Sequence, residues 1–208
     1  MNRIHLILTF CLFSVFMSCS KDDEASGDQG FNLEQPDAID PVDYEIYSLI
    51  IKERYSANEI VVNQRSNNAI ELNSPYGIDY YDNLMAENPG IEEGIIDDLR
   101  TVNNSYVVFG LEFVVDNKDI NLLPFDESNH LFNQDEDFNA GWDEFYAKFP
   151  EANGILNFSS IGYNNSKTQA LLEMTRYCGS LCGYVDVVYL EKENGIWVIK
   201  SIINLWVS

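Results

Sequence analysis

The chain has 208 residues, with 34 acidic against 12 basic side chains and a formal net charge of -22. Apolar residues make up 46% and aromatics 13%, too apolar for a disordered chain and enough for one sizeable core. The acid excess argues against nucleic-acid binding, because phosphate needs clustered Lys and Arg, and equally against docking on anionic lipid by charge.

Residues 1–18 read MNRIHLILTFCLFSVFMS. Arg3 gives a positive start, and residues 4–17 form an almost unbroken apolar run. That run is shorter than the ~20 residues a bilayer span needs and has the length of an export-signal core. A buried N-terminal helix is the alternative, but it would show a polar face, and only His5, Thr9 and Ser14 interrupt the run. The run ends at Phe16-Met17-Ser18-Cys19, which resembles the lipobox of bacterial lipoproteins, with Phe16 where Leu is usual. The following Ser20-Lys21-Asp22-Asp23-Glu24 is similar to the signal that sends Bacteroidetes lipoproteins to the outer face of the outer membrane. The resemblance implies acylation of Cys19, a membrane anchor through that residue and exposure on the cell exterior. Several acyl chains make such an anchor durable where one would be marginal. Cleavage before Cys19 leaves 34 acids against 11 bases, a charge of about -23. Residues 19–40 then read as a lipidated, flexible, acidic tether.

Residues 41–208 read as a single domain. Asp40-Pro41-Val42-Asp43 is a helix start with an Asp cap, Pro at the first position and an acid at the third. Val42, Ile46, Leu49 and Ile50 then share one face of a helix running to about Tyr55. Residues 58–64 read as a strand and 69–72 as another. Asn88-Pro89-Gly90 opens a helix whose apolar stripe is Ile91, Ile95 and Leu99, and residues 106–115 are β-branched and aromatic enough for a strand. A third helix carries Phe138, Trp142, Phe145, Tyr146 and Phe149 and stops at Pro150.

Residues 154–163, 167–178, 184–193 and 196–207 are four strand-like runs joined by short turns. Asn194-Gly195 is the preferred two-residue type I′ pair, and it places Leu190 opposite Ile199 and Lys192 opposite Trp197. Trp197, Ile199, Ile203 and Leu205 fall on one face of the last strand. The expected class is α+β: N-terminal helices packed on one side of a C-terminal antiparallel four-stranded meander sheet. Gly162-Tyr163-Asn164, Gln169-Ala170-Leu171, the span from Cys178 to Gly183, Asn194-Gly195-Ile196-Trp197 and Trp206-Val207-Ser208 resemble a family of small exported bacterial proteins of unassigned function. That resemblance supports the sheet and implies no catalytic residue.

Cys178 and Cys182 bracket a three-residue turn, so a disulfide pinning a hairpin is expected in an oxidising compartment. A redox pair and a metal site are the alternatives, the mature chain having one His. That residue, His130, is expected to be a surface or satisfied side chain. No zinc-binding His pair, nucleophile elbow or phosphate loop is present in the sequence. Asn133, Asp135, Asp137, Asn139 and Glu144 place oxygens at the calcium-loop positions 1, 3, 5, 7 and 12. Against that stand Phe138 at the turn that requires Gly and a preceding segment, with Pro124, that does not read as a helix. The alternative is an acidic lead-in capping the third helix through Asp137 or Asn139. Glu93 and Asp97 lie one helical turn apart on a solvent face, which says little about a catalytic carboxylate pair. Tyr76, Tyr80 and Tyr81 stand in a Pro/Gly/Asp-bearing stretch, either stacking on a sugar or partner at a loop surface or covering the core.

The expected function is a non-catalytic cell-surface lipoprotein that binds a glycan or protein partner, with no cofactor and no nucleic acid. One alternative is an inhibitor or immunity-type lipoprotein whose charge steers a basic enzyme to it. Another is a hydrolase using carboxylates.

Overall fold

The computed structural model describes residues 30–67, 77–92, 94–133 and 138–208, the side chains of 77–80 and 138 excepted. The signal run, Cys19, the strand expected at 69–72, Tyr76, Glu93, Asp135 and Asp137 lie outside the described residues, as does the side chain of Tyr80.

Helix α1 (Pro41–Arg54) starts where the cap places it: the Asp40 carboxylate accepts from the Val42 amide at 3.0 Å, and Pro41 occupies the first turn. Strand β1 (Glu59–Asn63), helices α2 (Gly77–Glu87) and α3 (Gly94–Val102), strand β2 (Asp119–Leu123) and helices α4 (Phe125–Phe132) and α5 (Phe138–Lys148) follow. Strands β3 (Ala152–Phe158), β4 (Gly162–Tyr163), β5 (Gln169–Gly179), β6 (Cys182–Glu193) and β7 (Ile196–Val207) complete the chain. The class is α+β.

The sheet is larger than the expected meander. Seven strands form one open, mixed sheet in the order β2-β1-β3-β5-β6-β7, with β4 pairing β5. The antiparallel meander forms its C-terminal part, but β1 inserts parallel to both β2 and β3. Parallel neighbours need long crossovers, and α2–α3 and α4–α5 supply them. Asn194 (φ 52) and Gly195 (φ 85) make the expected β6–β7 turn, with Leu190 opposite Ile199 and Lys192 opposite Trp197.

Helices cover both faces of the sheet, not one. On the first face, Ile46, Tyr47 and Ile50 of α1 pack with Val62, Leu172, Val188 and Trp197. On the second, Tyr81 and Leu84 of α2 and Ile95 and Leu99 of α3 cover Leu171, Val187 and Leu205, while Trp142 and Phe145 of α5 cover Val61 and Ile155. Val61 and Val62, and Leu171 and Leu172, therefore point to opposite cores, which is why these strands read as continuous apolar runs. The shared face expected for β7 also divides. Ile199 and Trp197 belong to the first core, Ile203 and Leu205 to the second. A register shift between Tyr189 and Leu190 of the partner strand turns β7 over by one residue there.

Three further expectations change. Residues 106–115 form no strand beyond an isolated bridge at Val108. Asp37 accepts from the Val108 amide at 2.8 Å, the Tyr44 hydroxyl from Gly110 at 2.7 Å and Ser48 from Val114 at 2.9 Å. Side chains thus satisfy amides that a neighbouring strand would otherwise take. Residues 77–87, assigned no element from the sequence, form α2, so Tyr81 is 2% exposed and donates to the Glu173 carboxylate at 2.7 Å. Of its two expected roles, Tyr81 thus takes the one that covers the core. Finally, the compact unit runs Phe31–Ser208, so residues 31–40 are docked and not part of a tether. Phe31 packs on His130 with ring centroids 5.4 Å apart, and Glu34 forms a bidentate ion pair with Arg65.

Candidate functional site

A polar interior region with aromatic walls opens on the second face, beside the carboxyl ends of parallel strands β1, β2 and β3. This is where open sheets with parallel strands commonly bind ligands. Two adjoining cavities, of about 270 and 220 Å³, share Asn63 and Ser128 as lining residues. Asn63 ends β1, Asn157 is the penultimate residue of β3, and Asn67 follows four residues after Asn63. Helix α4 contributes Phe125, Ser128 and Phe132, and α5 contributes Trp142.

Three asparagines make the floor. Asn63 donates its amide to the Asn157 side-chain oxygen, and Asn67 donates to Thr175 Oγ1 at 3.4 Å. This leaves Asn63 Oδ1, Asn157 Nδ2 and Asn67 Oδ1 buried with no hydrogen-bond partner among the described residues. Trp142 Nε1, in the adjoining cavity, is likewise without one. Leaving a buried polar group unpaired costs on the order of 1–3 kcal/mol, so four in one place is a local concentration of unfavourable energy. Such costs gather where a fold keeps polar groups for a ligand.

Aromatic rings make the walls. Phe132 and Trp142 lie 4.8 Å apart, and Tyr106, Phe125 and Tyr177 are 47%, 39% and 39% exposed at the rim. The Arg65 guanidinium is held between two of these rings, 3.7 Å from the Phe125 centroid and 4.4 Å from that of Tyr106. Glu34 grips Arg65 at 2.8 and 2.7 Å and raises its proton affinity, so this guanidinium is neutralised in place. Gln64 exchanges hydrogen bonds with the Glu34 backbone at 2.9 Å in both directions, which fixes that arm. Burial pushes the Tyr177 hydroxyl up and keeps it neutral.

Among the described residues that line the two cavities there is no carboxylate. The described lining offers amide donors and acceptors, hydroxyls and π faces. Such a surface matches neutral hydroxyl-bearing or amide-bearing ligands with an apolar face.

Cys178 and Cys182 are joined in a disulfide at the β5–β6 hairpin, with Cα atoms 5.0 Å apart. Tyr146 of α5 donates to the Cys178 carbonyl at 3.1 Å, which ties the hairpin, and Tyr177 beside it, to the wall of the cleft. Of the calcium candidates, Asn133, Asn139 and Glu144 are described, while Asp135 and Asp137 lie outside the described residues. Helix α4 does precede Asn133, with Pro124 at its N-cap, contrary to the sequence reading. Helix α5 begins at Phe138, the sixth of the twelve positions. Asn133 turns back to Asn129 at 3.0 Å, and Glu144 faces His130 at 3.7 Å. Asn139 and Glu144 sit about 140° apart around α5, at ~100° per residue. Among the described residues no group of three His, Cys, Asp or Glu could hold a metal ion. Asp97 pairs with Arg100 at an exposed site.

Sequence reasoning missed the asparagines and Arg65 because nothing in their spacing marks them: a parallel pairing and a crossover bring them together. The one available signal was polar Asn63 closing an apolar strand. Comparison with protein-family models, curated proteins and solved structures gives no match.

Proposed function

We propose that this chain is a lipid-anchored, non-catalytic binding protein, held through Cys19 on the outer face of the outer membrane, which takes a glycan in the amide–aromatic cleft. The observation that carries the reading is the set of amide atoms of Asn63, Asn67 and Asn157 without a partner among the described residues, under aromatic walls. Sugar hydroxyls complement side-chain amides as both donors and acceptors, and the C–H face of a pyranose stacks on rings such as Phe125 and Tyr106. The export run, the lipobox-like Phe16-Met17-Ser18-Cys19 and the acidic residues after it support the placement.

The test is a glycan array followed by calorimetry on the strongest hit. Asn157→Ala and Phe125→Ala should each weaken binding at least ten-fold, about 1.4 kcal/mol. A flat array, or full affinity in both variants, overturns the reading. The anchor is tested separately: labelled palmitate should enter the wild type and not Cys19→Ala.

A further inference from the structure

A second cavity, of about 720 Å³, lies on the other face of the sheet and has the opposite chemistry. Its long wall is α1. Its other sides are residues 37–39, the extended 112–114 stretch and the start of β7. Val114 and Ile196 project from these last two at 78% and 66% exposure, and Ile39 and Leu49 add half-buried apolar surface. Asp37, Glu45 and Glu112 line it against a single cation, Lys52. Trp197, 2% exposed, also lines it, and its Nε1–H has no hydrogen-bond partner among the described residues.

We infer that this groove docks a basic, apolar segment of another protein, with aliphatic side chains against Val114 and Ile196 and lysine or arginine ammonium groups against Glu45 and Glu112. Two other occupants are disfavoured by charge. Residues 20–29 of this chain carry Lys21 against four acids, and a second copy carries -22. Both would bring like charge to three carboxylates, whereas a cationic segment is steered to them. The indole of Trp197 is an unpaired donor for a backbone carbonyl of the docked segment. Its π face already accepts a cation, the Lys192 ammonium at 4.8 Å from the ring centroid. Because this site shares no lining residue with the amide–aromatic cleft, it stands or falls independently of glycan binding.

The probe is an acetylated, amidated peptide of alternating lysine and leucine, titrated into the nitrogen-labelled full chain. The Trp197 indole N–H resonance, assigned with Trp197→Phe, should move and saturate. The Glu45→Gln/Glu112→Gln double variant and, separately, ~1 M salt, where screening reaches ~3 Å, should each weaken binding about ten-fold. Val114→Ser, at a side chain that supports little of the core, should also weaken it. A stationary Trp197 resonance, equal binding of the peptide with glutamate in place of lysine, or unchanged affinity in the double variant overturns the inference. Self-association of the chain that blocks the peptide overturns it too, since it would assign the groove to a second copy.

Discussion

Gly141 in α5 faces the last turn of α4, and the two helices carry Phe125, Ser128, Phe132 and Trp142 into the cleft. A Cβ built at Gly141 would lie well inside contact distance of the Leu131 carbonyl oxygen, 2.9 Å from its carbon and 3.3 Å from Phe132 Cδ1. Ordinary carbon contacts are ~3.5–4 Å, so α4 must retreat by about 1 Å, and a backbone carbonyl cannot rotate aside. Two effects compete in Gly141→Ala. Better helix propensity stabilises by ~1 kcal/mol. Overpacking against rigid backbone costs about 3 kcal/mol, the upper end of the usual range. The net is a loss of about 2 kcal/mol, or a Tm lower by ~4–8 °C. Gly94→Ala, at the start of α3 with nothing within 4 Å of the added carbon, is the control. It should be neutral or stabilising by up to ~1 kcal/mol. Thermal melts of both variants, with glycan titration of Gly141→Ala, decide the matter: separation of α4 from α5 should weaken binding as well. A Gly141→Ala protein melting at or above the wild type would refute the reasoning.

The Asn63→Leu/Asn157→Leu double variant removes two unpartnered polar atoms together with the bond that joins the residues. It should melt no lower than the wild type, since replacing both partners by apolar groups is near neutral, yet lose glycan binding; a Tm drop above ~5 °C would show that the pair is structural. Burial pushes the Tyr44 hydroxyl up to about 12, the Gly110 amide opposing and Glu112 adding to it, and burial raises Tyr47, Tyr55 and Tyr163 further. A raised folded-state pKa contributes stability below the unfolded value of 10, and for Tyr44 that contribution is lost as pH rises from 10 to about 12. Unfolding in alkali should therefore accompany tyrosinate absorbance; ionisation of all the tyrosines near pH 10 with the fold intact would contradict this. Cys178→Ser/Cys182→Ser should cost about 2 kcal/mol on the chain-entropy model for so short a loop, read as a shift in denaturant midpoint; an unchanged midpoint would place the bond outside the cooperative fold.

What local chemistry dictates was legible in the chain. The Asp40-Pro41 start of α1, the aromatic spacing of α5, the Asn194-Gly195 turn with its register and the Cys178–Cys182 pairing each depend on residues close in sequence. Non-local placement was not. Residues 106–115 have strand composition, yet Asp37, Tyr44 and Ser48 take their amides, a competition visible only once α1 is docked. The alternation of β7 looked like one buried face, but the shift opposite Tyr189 divides it between two cores. The cleft depends most on tertiary structure. Asn63 and Asn157 are far apart in the chain and meet because β1 and β3 run parallel, a pairing that no short-range pattern encodes. Sequence alone determined the charge and most local elements. The tertiary structure decided which polar groups went unpaired, because partners for a buried amide are assigned only when strands distant in sequence come together.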